Sequence, residues 1–234
     1  SVLEESVLVI EKRSHIGGNS WSELDPETGI ECHKYGSHIF HTSNAKVWEY
    51  INRFASFTGY RHKVLITSGG RVFQMPINLK TINDFFNVSL SPSDAVEFLK
   101  EEIRAAGILN MHENLEEKAV STVGRRLYDA LIRGYTMKQW EHDPQTLPPE
   151  IITRLPVRFN YNSDYFSDSW QGVPLDGYGK LFERLLAHPN ITVRTNAEFS
   201  SIRAELSPEC NIIYTGMIDE FFDYKFGMLE WRGL

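Results

Sequence analysis

The chain has 234 residues, 41% of them hydrophobic, and a formal net charge of -7. This composition is ordinary for a globular protein with a packed core, and no basic run offers a surface for nucleic acid or an anionic membrane. No apolar run approaches the roughly 18 residues of a membrane span, and the first residues lack a secretory signal pattern. Cys32 and Cys210 lie far apart, so neither a disulfide framework nor a zinc site is expected, and a reducing cytoplasm is the predicted location.

The first predicted element is a strand, because Val7–Ile10 is a continuous apolar run typical of a parallel strand buried on both faces. It leads into Glu11 and then a turn with paired glycines, Gly17 and Gly18. In a dinucleotide-binding βαβ unit, a carboxylate at the end of the second strand accepts hydrogen bonds from a ribose. The Gly-x-Gly-x-x-Gly turn that should precede it by about 20 residues is not among the 234. The alternative, a strand with a solvent-facing acid, stays open at this point.

Three histidines, His33, His38 and His41, follow in "HKYGSHIFHT". Their spacing is not the i, i+4 pattern of a helical ligand pair, so no metal site is expected. A glycine turn that presents His38 and His41 to a cofactor or substrate is favoured. Turn histidines with satisfied hydrogen bonds are the alternative.

The next segment predicts an amphipathic helix with Val47, Tyr50 and Ile51 on its apolar side. Two apolar runs flanking Ser68-Gly69-Gly70 then predict a hairpin.

Helical signals dominate from residue 79 to about 147. Ser91, with proline at the next position, is a predicted N-cap, and Asn114 with Glu117 predicts another. The helical pattern continues through "RRLYDALIRGY" to Tyr135.

The last part of the chain again predicts alternating helices and strands, with a helix, the strand "ITVRT" and a buried strand "NIIYT". The predicted fold class is therefore α/β: an incomplete doubly wound, Rossmann-like domain with an inserted helical bundle and a small antiparallel sheet. The expected boundaries are 1–57 with 190–234 for the cofactor domain, 79–147 for the bundle, and 58–78 with 148–189 for the antiparallel and substrate region.

Two stretches carry candidate binding residues. In "GYTMKQW", Tyr135, Thr136 and Trp140 combine aromatic faces with a hydroxyl, which suits stacking on a base or sugar; core packing is the alternative. Arg154 and Arg158 lie in a proline-bounded segment that can act as a lid. An arginine there can close over a diphosphate with bidentate hydrogen bonds, although a surface arginine is the usual case.

The quoted motifs, together with "VLVIEKRSHIGGN", "LPVRFNYNSDYFSD", "QGVPLDGYGKL" and "IIYTGMIDEFFDYKFGMLEWRGL", resemble bacterial UDP-galactopyranose mutases in order and spacing over essentially the whole chain. The resemblance implies FAD as cofactor and interconversion of UDP-galactopyranose and UDP-galactofuranose, which supplies the furanose for cell-surface polysaccharides. In the mechanism proposed for the family, N5 of the reduced flavin attacks the anomeric carbon and forms a sugar adduct. Bacterial members are commonly dimers, so a homodimer is a further expectation.

The resemblance also implies site residues. The expected cofactor contacts run from the ribose through the flavin to the adenine end: Glu11, Gly17, Gly18, Asn19, His38, Ile39, Glu198 and Phe199. The expected substrate contacts cover the sugar, the diphosphate and the uridine: His62, Leu131, Tyr135, Thr136, Trp140, Arg154 and Tyr165. Arg154 and His38 are the expected catalytic residues.

The sequence departs from the family pattern at both ends, where the glycine-rich turn and the carboxy-terminal third are missing. We therefore expect the 234 residues alone to bind FAD poorly and to be inactive, unless they are part of a longer chain. Two alternatives remain: a related FAD oxidoreductase of the amine-oxidase type, and a non-catalytic fragment.

Overall fold

A computed structural model describes residues 5–107, 113–152 and 156–230. The chain forms two compact units. The first combines the described residues up to Arg61 with Phe166–Met228. The second spans the described part of His62–Tyr165, together with the described residues after Met228. Every helix among the described residues is too short or too polar to cross a membrane.

The strands of the described residues are short: β1 (Val7–Ile10), β2 (Ser22–Leu24), β3 (Glu31–His33), β4 (Phe40–Thr42), β5 (Val64–Ser68), β6 (Arg71–Met75), β7 (Trp170–Gly172) and β8 (Ile191–Arg194).

The helices of the same ranges are α1 (Ala45–Ile51), α2 (Leu79–Phe86), α3 (Pro92–Ala105), α4 (Leu115–Val123), α5 (Arg125–Leu127), α6 (Gly134–Trp140), α7 (Gly177–Leu186), α8 (Phe199–Ile202) and α9 (Ile218–Phe221). A π-helix, Tyr128–Arg133, joins α5 to α6.

The strands pair two by two. β1 and β8 are parallel, whereas β2–β3, β4–β7 and β5–β6 are antiparallel. The prediction that β1 is buried on both faces is wrong, since Val7 and Leu8 are 41% and 40% exposed. Burial of a parallel strand requires layers on both sides of a wider sheet. Among the described residues, β1 has β8 as its single partner strand.

The predicted buried strand "NIIYT" is also wrong. Residues 211–215 are irregular, and Ile213 is 91% exposed. A run of β-branched residues becomes a strand only where a neighbouring strand pairs with it, and no such neighbour occurs among the described residues.

The predictions that rest on local chemistry are confirmed. Ser91 Oγ accepts from the Asp94 N–H at 3.3 Å, and Asn114 Oδ1 accepts from the Glu117 N–H at 3.0 Å. The β5–β6 hairpin turns at Gly69 and Gly70, where both φ angles are positive, at 55° and 74°. Positive φ at both central residues is the turn geometry that matches the twist of the flanking strands.

Each unit has its own packing. In the second, the hydrophobic core joins β6 to α2–α5 and the π-helix, with Phe73, Ile82 and Tyr128 at most 3% exposed. Full burial of such side chains contributes about 1.5–3 kcal/mol each. In the first unit an aromatic cluster joins α1 to β7, where the Trp48 and Trp170 rings stack at 6.2 Å.

Candidate functional site

The carboxyl ends of β1 and β8 lie at one edge of their parallel pair, which is where α/β domains bind ligands. Glu11 follows β1 directly, and its N–H donates to the Arg194 carbonyl at 3.0 Å. Beyond β8 the chain returns to the same place, since the Ala197 N–H donates to the Glu11 carbonyl at 3.1 Å. Glu11 and the segment that leads to Glu198, both expected at the cofactor, are thereby neighbours.

Arg13 connects Glu11 to Asn19. Its backbone N–H donates to Glu11 Oε1 at 2.8 Å, and its Nη2 donates to Asn19 Oδ1 at 2.8 Å. The guanidinium lies 4.4 Å from the centre of the Tyr35 ring, a cation–π distance. Arg13 Nη1 is a buried donor without a hydrogen-bond partner in the described structure. A buried unpaired donor is costly, so this N–H is suited to an anionic ligand.

Sequence reasoning missed Arg13 as a site residue. The available signal was its position two residues after the strand-end acid in "EKR".

The paired glycines form a tight turn, with φ of 85° at Gly17 and 55° at Gly18. A Cβ on Gly17 would lie 2.4 Å from the Phe182 ring, whereas one on Gly18 would meet nothing within 4 Å. Glycine is therefore favoured at position 17 for two reasons, the left-handed backbone and the close packing of the turn against α7. At position 18 the left-handed backbone is the single reason.

His38 is held in a defined orientation. Its backbone N–H donates to His33 Nδ1 at 2.9 Å, and its own Nδ1 lies 2.9 Å from the Gly36 carbonyl. Burial, reinforced by the neighbouring His38, lowers the pKa of His33, which favours the neutral ring, and the N–H that donates to Nδ1 makes Nδ1 the acceptor. Because a carbonyl only accepts, His38 Nδ1 carries a proton, and in the neutral ring Nε2 is the acceptor. Ile39, beside it, is half-buried.

His41 makes the contacts expected of the alternative, a histidine with satisfied hydrogen bonds. Its Nδ1 lies 2.7 Å from Asp168 Oδ2, and its ring stacks on Phe166 at 3.7 Å. The hydrogen bond from His41, followed by one from Ser43, lowers the pKa of Asp168. His41 thus joins β4 to the segment before β7. Among the described residues, no group of three His, Cys, Asp or Glu side chains is arranged to hold a metal ion.

Phe199 belongs to an aromatic cluster. Its ring centre lies 5.1 Å from that of Tyr214 and 5.9 Å from that of Phe221, and Arg203 lies 4.8 Å from the centre of the Phe221 ring. These side chains and Glu198 line a cavity of about 150 Å³. Because pockets for drug-sized ligands measure about 300–1,000 Å³, this cavity suits a single ring system.

In the second unit, two of the expected substrate residues are in contact. The Tyr165 N–H donates to the His62 carbonyl at 2.7 Å, and the two rings meet edge to face at 5.5 Å. Tyr165 is 42% exposed, so its ring is accessible. Arg154 lies outside the described residues.

The other expected substrate residues follow one another along the π-helix and α6. Tyr135 is 63% exposed, while Thr136 is 5% exposed. Leu131 is 2% exposed and belongs to the hydrophobic core, and Trp140 is half-buried. Tyr135 is therefore the residue of this segment whose ring is most available for stacking.

Glu116, a buried carboxylate in the first turn of α4, is bonded to residues on both sides of α6. Glu116 Oε1 accepts from Arg125 Nη1 at 2.9 Å and from Gln145 Nε2 at 3.2 Å, and Glu116 Oε2 accepts from the Tyr128 hydroxyl at 3.0 Å. Burial by itself raises the pKa of Glu116, but the hydrogen bonds from Arg125, Gln145 and Tyr128 outweigh it and leave the pKa below its usual value. The residue is thus a charged, fully partnered group.

Comparison with known proteins identifies the relatives of this chain. Residues 130–234 match the family model of UDP-galactopyranose mutase. The chain is 41% identical, over 98% of its length, to a probable UDP-galactopyranose mutase of Klebsiella pneumoniae. Over nearly its whole length, the chain is similar to UDP-galactopyranose mutases. The resemblance inferred from the motifs is thereby confirmed.

Two further relatives are also mutases, and one of them is named for a different nucleotide sugar. The chain is 39% identical, over 97% of its length, to a dTDP-fucopyranose mutase of Escherichia coli. It is 32% identical to a UDP-galactopyranose mutase of Mycoplasma genitalium. The chain spans 59–61% of the length of these relatives.

The fold has independent support. Residues 3–54 match an NAD(P)-binding Rossmann-like domain. A solved structure of reduced UDP-galactopyranose mutase covers 79% of this chain with a TM-score of 0.58, at 19% identity and over 42% of its own length. The predicted fold class, a Rossmann-like domain combined with helices and small antiparallel sheets, is confirmed. Domains of this type commonly bind nucleotide cofactors.

Proposed function

We propose that the protein is a UDP-galactopyranose mutase, which interconverts UDP-galactopyranose and UDP-galactofuranose and so supplies galactofuranose for polysaccharides. The observation that carries the proposal is the 41% identity to the Klebsiella pneumoniae relative over 98% of the chain. The match of residues 130–234 to the family model supports it.

We further propose FAD as the cofactor, and the residues at the β1–β8 edge fit such a group. Glu11 is at the strand end where a ribose hydroxyl can be bound, and the unpaired Nη1 of Arg13 suits a phosphate oxygen. In the proposal Asn19, His38 and Ile39 contact the flavin, and Glu198 and Phe199 contact the adenine end.

A reduced flavin, when bound, supplies the nucleophile for the anomeric carbon. In the proposal His38 acts beside the flavin: the hydrogen bond of its Nδ1 to the Gly36 carbonyl orients the ring and leaves Nε2 as the acceptor when the ring is neutral, while its backbone N–H binds His33.

The proposed substrate residues divide by chemistry. Tyr135 and Leu131 are proposed for the uridine side, where the exposed ring of Tyr135 can stack on a base and Leu131, which is buried in the core, contributes through packing. In the proposal Thr136, Trp140 and Tyr165 also contact the substrate, and His62 contacts its sugar. Arg154 is proposed to bind the diphosphate and to offset the charge on departing UDP.

A second candidate is mutase activity on a dTDP-linked sugar. It is favoured by the 39% identity to dTDP-fucopyranose mutase, which is close to the 41% of the first relative. The two nucleotides differ at the ribose 2′-hydroxyl and the base methyl group, and fucose lacks the 6-hydroxyl of galactose. Both candidates share the same reaction type.

The test uses protein expressed from its complete reading frame and reduced with dithionite. The protein is incubated separately with UDP-galactofuranose and dTDP-fucofuranose, and each product is separated by chromatography. We expect conversion of UDP-galactofuranose to the pyranose form. Exclusive conversion of the dTDP sugar would select the second candidate, and inactivity on both would refute the mutase proposal.

A flavin absorbance spectrum tests the cofactor. Without bound FAD in the same preparation, the cofactor proposal fails. The 234-residue chain, measured alongside, tests the expectation that it binds FAD poorly. We also propose a cytoplasmic homodimer, and light scattering on the purified protein tests the dimer.

A further inference from the structure

Glu116 binds chain segments on both sides of the helix that carries the proposed substrate residues. Arg125 and Tyr128 precede α6, and Gln145 follows it. A second connection reinforces this arrangement, since the Leu115 N–H donates to the Leu147 carbonyl at 2.8 Å. Both ends of the segment that contains α6 are thus bound to the first turn of α4.

The partners of Glu116 are suited to fix a conformation. Tyr128 is fully buried, and it is the first residue of the π-helix. A π-helical turn is rare and frequently occurs at functional sites. The bond from its hydroxyl to Glu116 therefore anchors the first residue of the π-helix, which continues directly into α6 and the exposed Tyr135.

We propose that Glu116 is a positioning residue for nucleotide-sugar binding, which holds the π-helix and α6 in the conformation that presents Tyr135 and Trp140 to the substrate. This inference rests on the proposed function, because it assigns the same residues to the substrate. Glu116 itself is 8% exposed and acts through its partners.

The experiment compares Glu116→Gln and Tyr128→Phe with the wild-type protein, all expressed from the complete reading frame. Glu116→Gln keeps the size of the side chain and removes its charge, and Tyr128→Phe removes only the hydroxyl. The matched control is Thr81→Val, another buried polar side chain of the second unit. The Thr81 hydroxyl bonds to the Gln74 carbonyl and to Asn78.

Three quantities are measured on each variant: the Kd for UDP by calorimetry, the bound flavin by absorbance, and the hydrogen exchange of the amides in residues 128–140. We expect Glu116→Gln to raise the Kd roughly 10-fold, because small displacements of positioning groups weaken binding strongly. Exchange in residues 128–140 should rise and flavin content should stay constant. Tyr128→Phe should act in the same direction with a smaller effect.

The control separates positioning from general stability. Thr81→Val should lower the melting temperature while it leaves the Kd for UDP within about twofold of wild type. An unchanged Kd in both Glu116→Gln and Tyr128→Phe would overturn the inference, as would an equal rise in Thr81→Val. If the wild-type protein binds no UDP, then Tyr135, Thr136 and Trp140 are not UDP-binding residues, and both the proposed function and the inference fail at this point. Unchanged exchange in residues 128–140 of the variants would then show that Glu116 does not hold the segment either.

Discussion

Replacement of Gly17 by alanine tests the packing of the turn beside the proposed cofactor site. Gly17 and its neighbour Gly18 both have left-handed backbones, with φ of 85° and 55°, so alanine at either position costs about 1–2 kcal/mol. Only at Gly17 would the new Cβ meet another group, the Phe182 ring at 2.4 Å. Overpacking of this kind costs about 1–3 kcal/mol more.

We therefore expect Gly17→Ala to lower the free energy of unfolding by about 2–5 kcal/mol, the sum of the two costs. Gly18→Ala should lower it by about 1–2 kcal/mol. Urea denaturation, followed by tryptophan fluorescence, measures both. The cause is tested in a Phe182→Ala background, where the excess cost of Gly17→Ala should disappear, because the two sites then no longer interact. Equal costs at both glycines, or an excess that persists without the Phe182 ring, would refute the steric argument.

Three further predictions follow. Arg13→Lys should weaken FAD binding roughly 10-fold in a fluorescence titration, because lysine keeps the charge but loses the planar fork that bonds Asn19. Glu116→Gln should be less stable than wild type at neutral pH, with the difference shrinking as the pH falls below about 4.5, because the folded pKa of Glu116 lies below that ordinary value. Tyr135→Ala should weaken UDP binding by about 10-fold or more, through the lost stacking, with no change in melting temperature.

Each of these predictions has a control and an outcome that contradicts it. An Arg13→Lys protein with wild-type FAD affinity would mean that the unpaired Nη1 serves no ligand. A stability difference for Glu116→Gln that persists unchanged at pH 3 would mean that the charge is irrelevant. Tyr161→Ala, at another exposed tyrosine of the second unit, is the control for Tyr135→Ala, and an equal effect on UDP binding would remove the case for stacking.

The sequence by itself determined what depends on neighbouring residues. The caps at Ser91 and Asn114 and the turn at Gly69-Gly70 form as predicted, because their hydrogen bonds and φ angles are set within a few residues. The motifs were also sufficient to identify the mutase relatives. Glu11 was placed at a strand end for the same local reason.

Only the tertiary structure decided which distant groups meet. It joined Glu11 to Asn19 through Arg13, paired His41 with Asp168, and left Ile212 and Ile213 exposed. It also gathered Arg125, Tyr128 and Gln145 around Glu116. The physical reason is that a local pattern records the preference of a residue for burial or for a partner, whereas the partner itself is supplied by a distant segment, 127 positions away in the case of His41 and Asp168.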